Sequence, residues 1–218
     1  SIVEATSGSS ALTGDTITLT AGTGALDAIG TLADAINTTA TTINSTSGTG
    51  GIFVDESNGA DISGLTSNGG NIVINNADGN ITTSGAIASS NGTITISSND
   101  SISLSSTITS GSAIISLTAD TDGDSTGSFT QNAGGTITST NAAIAITVGD
   151  ADSGSGNINL RRFNAGSGNI TLISREGSIV ESTSGSSALS GNVITLTAGT
   201  GALDGIGTLA DAINTTGT

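Results

Sequence analysis

The chain has 218 residues, 33 of them Gly, and contains no Pro, Cys, Met, Trp, Tyr, Lys or His. Without His, Cys or Lys, most nucleophile–base pairs and soft-metal sites cannot be assembled. Three Arg against eighteen carboxylates leave a net charge of −15, which repels nucleic acid and anionic lipid; no disulfide can form, and no run of about 18 apolar residues is present to cross a membrane.

Ile, Leu, Val and Phe together stand just above the roughly one-fifth of a chain below which sequences stay unfolded. Ile alone supplies more than half of them, and β-branched Ile and Thr favour pleated strands. Taken in chain order, triplets with apolar ends recur at Ile17-Thr18-Leu19, Ile52-Phe53-Val54, Ile72-Val73-Ile74, Ile94-Thr95-Ile96, Ile102-Ser103-Leu104 and Ile115-Ser116-Leu117. They continue at Ile144-Ala145-Ile146, Ile158-Asn159-Leu160, Ile170-Thr171-Leu172 and Ile194-Thr195-Leu196. Period-two alternation puts the outer residues of each triplet on one face of a strand and the middle one on the other. Shorter candidates lie at Ile62–Leu65, Ile81, Ile87 and Ile108, separated by Gly, Asn, Ser and Asp, which supply bends. Residues 25–37 admit two readings: strand and bend, or a short helix with Leu26, Ile29, Ala33 and Ile36 at helical spacing, against which Gly30 and the flanking Thr count.

Residues 1–41 return at 178–218 with an offset of 177 and only six changes, at Ala5/Ser182, Thr13/Ser190, Asp15/Asn192, Thr16/Val193, Ala28/Gly205 and Ala40/Gly217. We therefore expect residues 1–177 to be one complete unit, and 178–218 the start of the next, in a longer tandem array; duplication inside a single domain is the alternative. Within the unit, Ile52, Ile72, Ile94 and Ile115 are spaced by 20, 22 and 21. Short strands that close on themselves at that interval predict an all-β parallel solenoid, with about 21 residues per coil and roughly eight coils per unit. Each coil lays its strands about 4.8 Å from those of the last and shares an Ile, Leu and Val core with it, so a unit would be about 40 Å of rod. The span from Ile115 to Ile144 is longer than one coil, and the excess is expected at Asp120-Thr121-Asp122-Gly123-Asp124. Gly-Asn-Ile occurs at residues 70–72, 79–81, 156–158 and 168–170. It predicts either Asn amides stacked from coil to coil or Asn tolerating a turn.

The run Ala25-Leu26-Asp27-Ala28-Ile29-Gly30 through Ile43, then Gly50-Gly51-Ile52-Phe53-Val54-Asp55-Glu56 and Gly69-Gly70-Asn71-Ile72, resembles the repeats of very large filamentous-haemagglutinin-like surface proteins. The resemblance covers nearly the whole chain in rhythm and composition. It implies a right-handed parallel β-helix exported to the bacterial cell surface.

Asp120, Asp122 and Asp124 alternate with small residues like the start of a calcium loop, which needs hard oxygen ligands. The EF-hand positions for Gly and bidentate Glu hold Ser125 and Gln131 instead, so solvated turn residues are the competing reading, and Asp150 and Asp152 repeat the theme more weakly. No other cofactor is indicated. Asp55 and Glu56 are adjacent and on a strand would point to opposite faces, and there is no Trp or Tyr to pave sugar subsites, so we read no enzyme. Arg161, Arg162 and Arg175 form the candidate interaction patch, either for a neighbouring acidic fibre or anionic glycan, or for local pairing with Asp150, Asp152 or Glu176; Phe163 beside them is core or packs under an arginine. Thr16-Ile17-Thr18-Leu19-Thr20 and Thr93-Ile94-Thr95 resemble rows that bind ice, but the middle residue varies through Phe53, Val73, Ser103, Ala145 and Asn159, which breaks the array. The expectation is thus a structural segment of an extracellular fibre, stalk or adhesin shaft. Its partners would be adjacent units and, laterally, identical filaments or surface glycan, with neither nucleic acid nor membrane insertion. A calcium- or glycan-binding adhesion module is the alternative, and an ice-binding face a minor one.

Overall fold

A computed structural model of the chain describes residues 1–6, 8, 12–124, 126–149, 156–208 and 210–217. Among them the backbone forms 22 strands and no helix, and no segment is a helix long and apolar enough to cross a membrane. The named strands pair in parallel and belong to one continuous sheet that winds on itself.

Three stacked columns of strands make three faces of a coil. On the first face Ala28–Ile29 and the start of Ile36–Ser47 pair with Gly51–Glu56, followed by Ile72–Asn76, Ile94–Ser98, Ile115–Ala119, Ile144–Val148, Ile170–Ser174 and Ile194–Thr197. The second runs from Ala60 through Ile81–Thr83, Ile102–Leu104, Phe129–Gln131 and Ile158–Leu160 to Ile179–Glu181. The third runs from Leu65 through Ile87–Ser89, Thr107–Ser110, Thr136–Ser139 and Arg162–Asn164 to Ala188–Gly191 and Thr215–Gly217. The outer residues of the triplets point inward as period two requires: Ile52, Ile72, Ile94, Ile115, Ile144 and Ile170 are fully buried and directly stacked. Phe163 is core, its ring 6.4 Å from that of Phe129.

The first face carries nine turns, headed by Ile2, which bridges to Ile29. The close spacing of the inward Ile holds only from Ile52 to Ile115. Outside that stretch every step along the column is wider, most of all from Ile115 to Ile144, so residues 1–177 hold seven turns and one further face rather than eight coils. The extra residues sit in bends. Residues 120–128 join the first face to the second after Ala119, where 99–101 suffice one turn earlier, and this acidic bend takes most of the excess.

Residues 25–37 are strand and bend. Ile29 and Ile36 both enter the core in the first-face column, while 30–35 loop outward as a turn closed by Thr31 and Asp34, each N–H donating to the other's carbonyl at 2.9 and 3.1 Å. Gly30 starts the loop at φ 65°, a conformation that ends a helix, and Leu26 and Leu32 are left exposed rather than joining an apolar stripe.

The Gly-Asn-Ile motif proves to be a coil clamp. Asn71 Oδ1 accepts the N–H of Thr93 at 3.0 Å, Asn80 that of Ser101 at 3.1 Å, Asn157 that of Ser178 at 2.7 Å and Asn169 that of Val193 at 3.3 Å. In each case the donor is the residue just before the inward Ile one turn later. The contact therefore runs from coil to coil, as expected, but to backbone rather than along a ladder of amides; among these four, only Asn169 also meets an amide, accepting Asn192 Nδ2 at 3.3 Å. The preceding glycine lets the coils approach: a Cβ on Gly156 would lie 1.8 Å from the carbonyl oxygen of Gly127.

The two copies of the repeated segment share many local contacts. Ile2 N–H donates to Ala28 O and Ile179 N–H to Gly205 O; Gly30 N–H donates to Ile2 O and Gly207 N–H to Ile179 O. Gly8 N–H meets Asp34 Oδ1 at 3.0 Å and Gly185 N–H meets Asp211 Oδ1 at 3.1 Å; Gly24 and Gly201 donate to Asp27 and Asp204 at 2.9 and 2.8 Å.

Candidate functional site

The acidic bend brings three carboxylates together. Asp120 leaves the first-face strand at φ 57° and folds inward until it is fully buried, its N–H donating to Asp100 O at 3.0 Å. Gly127 permits this, since a Cβ there would lie 2.6 Å from that of Asp120. Asp122 and Asp124 stay exposed, and one carboxylate oxygen from each of the three lies within 4.8 Å of the others. Asp124 Oδ1 accepts the N–H of Thr126 at 2.9 Å and its hydroxyl at 2.6 Å. Asp122 and Asp124 are thus exposed residues of the bend, whereas Asp120 is buried. Closely set hard oxygens are the donor set a divalent cation such as calcium requires. The EF-hand pattern is not what assembles them: Gln131 is a buried bracket between coils, donating Nε2 to Arg162 O at 3.0 Å and accepting Arg161 N–H at 2.7 Å. Ser125, Asp150 and Asp152 lie outside the described residues.

The three arginines lie at two corners of the coil. Arg161 and Arg162 lie where the second face passes into the third, whereas Arg175 lies on the bend from first to second, one turn on. Among the described residues none of the three has a carboxylate within salt-bridge distance, so the pairing expected with Glu176 is not made. Arg161 Nη1 instead reaches Thr183 Oγ1 at 3.4 Å. Arg162 borders a shallow trough of about 290 Å³ on the third face, with Thr136, Thr138, Asn164 and Ser190 along it. Sequence reading missed this trough; of the two Thr-Ile-Thr runs, at 107–109 and 136–138, only the second borders it. The threonines pair across adjacent coils, and the column is interrupted by Ala88 on one side and Asn164 on the other.

Asp55 and Glu56 point to opposite sides of their strand, as their adjacency requires. Asp55 accepts Asn75 Nδ2 at 2.8 Å on the outer surface. Glu56 is buried at the bend and accepts Thr38 Oγ1 at 2.6 Å and the N–H groups of Ala40, Ser57 and Asn58 at 3.1, 3.0 and 3.2 Å. It closes a bend, and both it and Asp55 border a shallow depression of about 200 Å³ lined also by Asn37, Thr38, Thr39 and Ser57.

Two half-buried carboxylates are held below their ordinary range. Asp27 is lowered by the N–H of Gly24 and then by the Ser1 amino group, 3.2 Å away. At Glu181 partial burial opposes ionisation, but donation from the Ser187 hydroxyl and the N–H groups of Ser187 and Ser186, with a hydrogen bond to Asp211, outweighs it. No protein-family model, curated protein or solved structure matches the chain.

Proposed function

We propose that the chain is a structural segment of an extracellular fibre, stalk or adhesin shaft, of the filamentous-haemagglutinin-like kind, built by stacking tandem solenoid units at a bacterial cell surface. The observation that supports this reading is the double docking of one sequence: residues 1–41 and 178–218 make matching hydrogen bonds at two levels of the same rod. A unit can therefore follow a unit without a new kind of interface. A coil cannot bury its apolar strip alone, so each is stabilised by its neighbours, and the shaft's work is mechanical. Right-handed winding fits the strong preference of parallel crossovers, and the acidic coat keeps rods apart in solution. Its partners are the adjoining units, with identical filaments or surface glycan alongside. A chain in which residues 1–177 precede residues 1–218 tests the reading by urea unfolding. One cooperative transition at a higher midpoint than that of residues 1–218 alone is expected, and separate transitions at an unchanged midpoint would overturn it.

A second reading, a calcium-binding adhesion module, is favoured by the convergence of Asp120, Asp122 and Asp124. It predicts that millimolar calcium raises the melting temperature and that Asp122→Asn with Asp124→Asn abolishes the rise. An unchanged melting temperature leaves the bend a purely structural role.

A further inference from the structure

We infer that successive units are turned by one face about the shaft axis, so that whatever a unit carries is presented on each of the three sides in turn. The inference rests on the tandem-shaft reading and adds its geometry. Ile2 heads the first-face column, bridging to Ile29, above Ile52. Its counterpart Ile179 pairs instead with Ile158, in the second-face column of Ile81, Ile102 and Phe129. Further along the same segment, Leu19 stacks through Ser45 onto Leu65 at the head of the third face, whereas its counterpart Leu196 pairs with Leu172 on the first. Many local contacts recur in both copies, and Ile29 and its counterpart Ile206 show the same shift of seven turns and one face. The stretch between is re-seated: Ile17 lies on the second face through Ile43 and Ile62, and Ile194 on the first against Ile170.

The cause is arithmetical. Residues 1–177 contain seven turns and one face, because the long bends consume residues that would otherwise complete an eighth turn. The sequence follows the change of seat. Two of the six differences between the copies are Asp15/Asn192 and Thr16/Val193. Asp15 and Thr16 lie within the straight strand Leu12–Thr20, while Asn192 and Val193 form the bend between Ala188–Gly191 and Ile194–Thr197. There both bond to Asn169 Oδ1, at 3.3 Å each.

Three units then make 22 turns and restore the starting orientation, with about 35 Å of axial rise per unit at a strand spacing of about 4.8 Å. The protruding turn at Leu26, the outward loop at Leu32 and the acidic bend would each face a given direction once in three units. A second shaft lying alongside would meet the same feature on one unit in three, and a shaft in a bundle would offer it to neighbours on every side.

The test uses three consecutive copies of residues 1–177 ahead of residues 178–218, with Leu26→Cys in every unit. Leu26 is 86% exposed and the chain has no native cysteine, so a maleimide–gold label marks each unit in electron micrographs. Labels at three azimuths, a third of a turn apart, are expected. Labels in a single line along an intact rod would overturn the rotation alone, whereas the absence of a rod would overturn the shaft reading as well. Residues 1–218 by themselves give an independent check by spin–spin distance. Leu26→Cys with Asn192→Cys spans seven turns along one bend, and Leu26→Cys with Leu203→Cys spans seven turns and a face. The second distance should be the longer, and the reverse order would contradict the inference.

Discussion

At the scale of single residues, coil stacking depends on side chains that look like turn filler. Asn71 is exposed, yet its amide oxygen holds the N–H of Thr93 on the next turn. Asn71→Ala should lower stability by about 1 kcal/mol, the usual net contribution of such a bond. Asn71→Asp, which keeps the acceptor, should recover most of that, as read by urea unfolding. Glu181 gives the pH counterpart. Its folded-state pKa lies below the ordinary 4.5, so its contribution is present above that value and is lost as pH falls through the lowered one. Glu181→Gln should therefore narrow the difference in melting temperature between pH 7 and pH 3. A variant with the full difference would remove Glu181 from the acid response. The role of Asn71 is half legible, because Gly-Asn-Ile recurs along the chain, but its partner is not: a spacing identifies a motif without naming the atom one turn away. Asp120 escapes sequence reading for a different reason. Asp and Gly in alternation suggest a solvated loop, and only the left-handed backbone at Asp120, with the missing Cβ of Gly127, turns the carboxylate inward.

Strands and bends divide differently between what sequence shows and what it hides. The triplets are plain, because strand alternation needs only neighbouring residues, and Ile94 lies stacked between Ile72 and Ile115 as the spacing implies. Truncation of Ile94 to Ala should cost about 2–5 kcal/mol through lost burial and the cavity left behind. Thr95→Ala, on the outer side of the same strand, should stay within about 0.5 kcal/mol. Equal losses at both positions, measured by urea unfolding, would contradict the assigned inside and outside. Bends are less legible because their length is not periodic. At the end of the third face Ser89 Oγ donates to Gly70 O and accepts the N–H of Gly92, and Ser110 and Ser139 accept the N–H of Ala113 and Ala142. These inward hydroxyls satisfy backbone groups at buried corners, where an unpaired N–H would be costly. In the sequence they are indistinguishable from the many exposed serines. The arginines teach the same lesson: Arg161 and Arg175 are near neighbours in sequence, but in a three-sided coil that separation is enough to reach a different corner and a different turn.

For the molecule as a whole, the stack of nine turns follows from summing short local rules, whereas the seating of the second copy does not. Its place depends on every bend length between residues 41 and 178, and a small error in any of them moves it to another face. A solenoid of this kind grows along one axis only, since each added turn is covered by the next and the cross-section is set by three short strands. The direct test is small-angle X-ray scattering from chains carrying one, two and three copies of residues 1–177, each ending in residues 178–218. The maximum dimension should rise by about 35 Å per added unit, from seven turns and a face at about 4.8 Å per turn, with the cross-sectional radius unchanged. A maximum dimension that grows much more slowly while the cross-section thickens, as in a chain folding back into a compact body, would contradict the shaft.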